Sequence, residues 1–160
     1  MNEKLALRVA LGLTYSNGEM LYVNGEMLTV AYSDGKATLS GKQISWTDLE
    51  AVLAGAGLKF SSTAEFIRWC YNPINRVIWR ACPCDAPPVD LRKVARTIRA
   101  TLGQTEGSSW TLDLAANRTS PVRWTRRVVQ GEPAVLAGVG RYTPVVITTG
   151  DLAEFAAPLV

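Results

Sequence analysis

Histidine is absent from this 160-residue chain. That absence removes Ser-His-Asp and Cys-His catalysis and every metal site that needs imidazole. Cysteine is scarce: Cys70, Cys82 and Cys84 are an odd number and cannot all pair within one chain. They predict a reducing compartment, with one bond between chains as the alternative. The Cys82-x-Cys84 spacing is too tight for a zinc knuckle, and no second knuckle exists to complete four ligands. No metal and no cofactor are therefore expected. No apolar run approaches the ~20 residues of a membrane span, so no membrane partner is expected. Gly138-x-Gly140 lacks the third glycine and the distal acid of a dinucleotide fingerprint, and no phosphate-cradling loop is present. The carboxylates Glu19 and Glu26 both follow turn dipeptides, where polar residues belong on structural grounds, and nothing brings them together across a cleft. With no nucleophile–base pair in view, the chain does not read as an enzyme. Met1–Arg8 makes a poor signal peptide, because Arg8 interrupts the hydrophobic stretch. The expected location is the cytoplasm or a virion.

What is present suffices for a core. The chain is 48% hydrophobic and 19% charged, and a domain of this length buries roughly 70% of its unfolded surface. One domain over 1–160 is expected. Its charge is uneven: residues 1–75 hold six Lys/Arg and seven Asp/Glu, whereas residues 76–160 hold eleven and seven. The basic excess is mostly arginine, which suits bidentate contact with carboxylate or phosphate.

Hydropathy switches period along the chain. Residues 4–15 alternate, with Leu5, Leu7, Val9, Leu11, Leu13 and Tyr15 on one side, as a half-buried strand does. Asn17-Gly18, Asn24-Gly25 and Asp34-Gly35 follow, dipeptides that accept the positive φ of two-residue hairpin loops. The segments between them, 19–23, 26–32 and 36–39, are short enough to be strands. An antiparallel meander over 1–43 results.

Residues 44–103 turn helical. Ser45 or Thr47 can cap a short helix ending at Gly55 and Gly57. Ser62-Thr-Ala-Glu65 has the form of a capping box, opening a helix with Phe66, Trp69 and Cys70 on one face. Asn72-Pro73 supplies a cap and a first-turn proline, followed by Ile74, Val77, Ile78 and Ala81. Prolines at 83, 87 and 88 make a loop of the next stretch. Residues 89–102 are the longest helix, with Leu91, Val94, Ala95, Ile98 and Leu102 as its apolar stripe and Gly103 as its stop. From 104 to 160 strands return, at 110–114, 122–129, 134–139 and 144–148, and Asp151 offers a cap to a last helical turn through Phe155. Strands, then helices, then strands make the fold class α+β.

Two arginine groups resist a purely structural explanation. Arg92, Arg96 and Arg99 fall at i, i+4 and i+7, within about 60° of arc beside the apolar stripe. Like charges so placed repel by a few tenths of a kcal/mol per pair, and no acid after Asp90 in that helix relieves them. Arg123-Trp124-Thr-Arg126-Arg127 interleaves an aromatic with three arginines, a composition that stacks bases and holds phosphates. In a strand, the same run would place Trp124 in the core and its arginines in water. Trp and Arg are also the anchors of protein–protein interfaces. These seven residues are the candidate contacts to a partner or to phosphate. The expected function is non-enzymatic: a structural or assembly subunit of a homo- or hetero-oligomeric particle, for which a tail, connector or decoration protein of a virus or phage is one fitting form. The alternative is a small nucleic-acid-binding module using the 92/96/99 ridge and the 123–127 strand.

Overall fold

The computed structural model describes residues 19–23, 26–33, 36–39, 42–44, 50, 54, 57–81, 90–114 and 120–159. The candidate strand over 4–15, the loop over 82–88 with its two cysteines, most of the short helix before Gly57 and the side chain of Cys70 lie outside them. The described residues are α+β and group into two units, one ending at Tyr71 and one spanning Asn72–Leu159.

In the first unit, β1 (Glu19–Val23), β2 (Glu26–Ser33), β3 (Lys36–Leu39) and β4 (Lys42–Ile44) form an antiparallel sheet in chain order. Pairing closes at Val23↔Glu26 and at Ser33↔Lys36. Two residues therefore join each pair, as the Asn-Gly and Asp-Gly signals require. β4 extends the meander by a strand beyond those expected. Helix α1 (Thr63–Cys70) starts at Ser62, whose hydroxyl accepts the N–H of Glu65. The return half of the capping box is displaced by one residue. Glu65 Oε2 accepts from the N–H and the hydroxyl of Ser61, at 2.7 and 2.6 Å. Those two bonds hold the Glu65 carboxyl below the usual carboxylate range, so it stays ionised further into acid. Phe60 meets Phe66 and Trp69 edge-on, at centroid distances of 5.3 and 5.5 Å, the arrangement favoured by aromatic quadrupoles.

The second unit is a four-stranded antiparallel sheet with helices on one face. Its strands are β5 (Ser109–Leu112), β6 (Val122–Val129), β7 (Glu132–Val139) and β8 (Val145–Thr148), in that order. Helices α2 (Pro73–Ala81), α3 (Leu91–Leu102) and α4 (Thr149–Ala156) complete it. α2 packs on β7 and β8, α3 on β6 and β7, and α4 on α2, α3 and β8. Ile74, Val77, Ile78 and Ala81 of α2 are all buried, as their helical spacing predicts. The sheet face on the helix side is built from Val122, Trp124, Val135, Ala137, Val139, Val145 and Ile147, all buried.

Asn72 joins two of these helices. Its Oδ1 accepts the N–H of Ile74 at 3.0 Å, capping α2, and its Nδ2 donates to the carbonyl of Asp151 in α4 at 2.8 Å. The cap of α4 is Thr148, not Asp151. Asp151 occupies the third helical position and returns a bond to the Thr148 N–H, so the pair forms a complete capping box.

The β6–β7 turn is Gln130-Gly131, with φ of 51° and 79°. Both residues thus adopt the left-handed conformation of a two-residue hairpin loop, which Gly accepts freely and Gln does not. Replacing Gln130 by Asn, which tolerates that conformation, is expected to stabilise the protein by about 0.5 kcal/mol, read as a higher urea midpoint at unchanged slope.

Candidate functional site

α3 carries the first arginine group. Asp90 caps it, accepting the N–H groups of Arg92 and Lys93 at 3.0 and 3.2 Å, and places a negative charge at the positive end of the helix. Leu91, Val94, Ala95 and Ile98 are buried beneath, while Arg92, Arg96 and Arg99 are exposed along one ridge. Leu102 is only half-buried, and Thr97 and Thr101 are buried in its stead. The buried arc is thus rotated toward the threonines, whose hydroxyls donate to the carbonyls of Lys93 and Thr97 at 2.9 Å. This back-bonding lets Thr sit in a helix interior without an orphaned hydroxyl.

β6 carries the second group and divides it. Side chains alternate across a strand, and Trp124 is fully buried on the helix side. Trp124 is therefore a core residue as placed, and offers no surface for stacking. Arg126 shares its face, half-buried, and its Nε donates to the carbonyl of Leu102 at the end of α3, at 3.0 Å. That guanidinium serves a helix C-terminus, where the dipole favours a cation. The expectation that the strand's arginines all face away from the core is corrected for this residue. Arg123 and Arg127, exposed, lie on the opposite face. Arg123 Nε donates to Ser109 Oγ at 2.9 Å, and Ser109 Oγ is 3.1 Å from Thr125 Oγ1. The 92/96/99 ridge and the Arg123/Arg127 pair thus stand on opposite sides of one sheet and form no continuous basic surface.

Sequence reasoning gave no role to two further features. Trp110 on β5 is 42% exposed, and its Nε1 donates to Thr101 Oγ1 at 2.7 Å. This bond fixes the indole beside α3 and leaves part of it bare. The other feature is the tip of the β6–β7 hairpin. β5 pairs with β6 over Val122–Thr125, and β8 pairs with β7 over Ala134–Ala137. Residues 128–133 therefore project past both neighbouring strands as a two-stranded ribbon, paired as Val128↔Pro133 and Val129↔Glu132. Val128 is 45% exposed and Val129 37%, one on each face. Consecutive exposed valines could have marked this tip in the sequence, but a strand buried on both faces would carry the same pair.

Elsewhere in the unit, Arg80 lies over the Tyr142 ring, 4.8 Å from its centroid, and donates to the carbonyl of Thr143 at 3.1 Å. Among the described residues no helix is long and apolar enough to cross a membrane, and no three His, Cys, Asp or Glu side chains gather as a metal site would require. Comparison with protein-family models, with curated proteins and with solved structures gave no match.

Proposed function

We propose that this protein is a non-enzymatic assembly subunit, acting through contacts with further copies or with other protein chains. The observation that supports this most is the β6–β7 ribbon. An isolated two-stranded ribbon is marginal in water, and this one places Val128 and Val129 in solvent with Arg127 and Glu132 as its flanking charges. Its tip is apolar and nearly neutral, which fits a protein surface better than a phosphate backbone. The division of the arginines supports the same reading. A nucleic-acid module built on the 92/96/99 ridge and the 123–127 strand needs both on one side, and the sheet lies between them. The ridge remains a place for a partner's carboxylates, where charge-assisted bonds with arginine are strongest.

The experiment is the double variant Val128→Lys, Val129→Lys. Both side chains are already solvated, so its melting temperature should stay within a few degrees of the parent's. Light scattering at matched concentration should show species larger than two chains lost. A variant that assembles as the parent does would remove the ribbon as support.

A further inference from the structure

We infer that the outer edge of β5 is a docking edge for a second copy of this chain, joined strand to strand in antiparallel sense about a twofold axis at Trp110. The inference rests on the assembly reading and names the surface. Ser109, Trp110 and Thr111 are exposed, and among the described residues β5 pairs only with β6. The N–H of Arg126 donates to the carbonyl of Ser108 at 2.9 Å, so Ser108 faces β6. Antiparallel ladders alternate, so Ser109 and Thr111 turn their N–H and C=O groups outward. Edge strands are ordinarily guarded by charge, proline or a bulge that twists the edge away. A bulge stands at the start of β5, where Gly107 (φ 90°) and Ser108 both bond to Arg126, but the stretch Ser108-Ser-Trp-Thr-Leu112 holds no charge and no proline, and Trp, Thr and Leu suit a strand. Such an edge accepts another strand through its backbone.

Three features select a second copy as the occupant. The first is charge. Antiparallel pairing brings the C-terminal end of one β5, where Asp113 is exposed, to the N-terminal end of the other, and that end lies beside the exposed Arg127 of β6, on the sheet face that Ser109 and Thr111 share. A twofold axis makes the match twice. The second is hydrogen bonding. With Trp110 opposite Trp110 of the other copy, Ser109 of each faces Thr111 of the other, so the outward groups satisfy one another. The third is space on the helix side. α3 packs on β6 and β7; with strands about 4.8 Å apart, the two copies of α3 would lie about 19 Å from each other. Helices of 10–12 Å diameter leave a gap over the joined edges, and the two indoles, already fixed by Thr101, fill it. Aromatic pairs opposite one another add to strand pairing.

Thr111→Pro tests this on the full chain. Proline is tolerated on an edge strand where the lost N–H faces away from the sheet, so the monomer should fold while its outward donor is gone. At a concentration where the parent sediments as a dimer, the variant is expected as a monomer, whereas Val128→Lys, Val129→Lys should keep the dimer. Amide exchange on the parent gives an independent measurement: protection of the Ser109 and Thr111 N–H groups should rise with concentration. A dimer that survives Thr111→Pro, or one in which those two amides stay unprotected, overturns the edge and leaves assembly standing. A parent that is monomeric at every concentration overturns both.

Discussion

Val94→Asp is expected to destabilise the protein by about 4 kcal/mol or more, the range reached when an unpaired charge is forced into a core. Val94 is 2% exposed on α3, between Leu91 and Ile98, both fully buried. A carboxylate there must either be desolvated or drag the helix from β6 and β7. On α3 itself the neighbouring cations, Arg92, Lys93 and Arg96, are all exposed, with their charges in water rather than beside a buried carboxylate. Chemical unfolding monitored by circular dichroism measures the effect. A variant melting within a degree or two of the parent would show that α3 buries a different face.

Trp124 carries the second large effect. It is fully buried at the centre of the helix-covered sheet face, and its Nε1 has no hydrogen-bond partner among the described residues. Trp124→Ala should cost about 3–5 kcal/mol through lost burial and the cavity left behind. Trp124→Phe should cost far less. It removes some volume but also a buried donor, which is worth about 1–3 kcal/mol when left unmade. The pair of variants separates packing from polarity. A Phe variant as unstable as the Ala variant would mean that the indole N–H is satisfied in solution.

These two residues show what the sequence discloses and what it conceals. The face of α3 was legible because Leu91, Val94 and Ile98 repeat at helical spacing in one short window. Its rotation toward Thr97 and Thr101 was not, since it depends on Trp110, brought in by strand pairing. The strand over 122–129 was legible by its β-branched and aromatic content, and its register follows from Val129↔Glu132 at the turn. Gly131 marked the break between the strands over 122–129 and 134–139, but the two-residue form of the turn was concealed, because Gln130 is a poor left-handed residue and gives no signal. Asn72 was legible as a cap, yet its bond to Asp151 spans 79 positions, and no local pattern reports such a contact. For the candidate site, charge spacing located the α3 ridge. Which side of the sheet each β6 arginine takes depended on strand alternation, and on α3 ending beside Arg126. The exposure of β5 and of the ribbon is a matter of strand lengths in the finished sheet, which no local pattern encodes.

Absolute mass by multi-angle light scattering, over a concentration series of the full chain with and without generic duplex DNA and RNA at low salt, tests the assembly function most directly. Assembly predicts a mass that rises above the 17.4 kDa of one chain with concentration, and that nucleic acid leaves unchanged. It also predicts that Arg92→Glu with Arg96→Glu disrupts assembly and leaves nucleic-acid affinity negligible. A mass of one chain throughout, with nucleic-acid binding that falls steeply with salt and vanishes in the double glutamate variant, would contradict the assembly function.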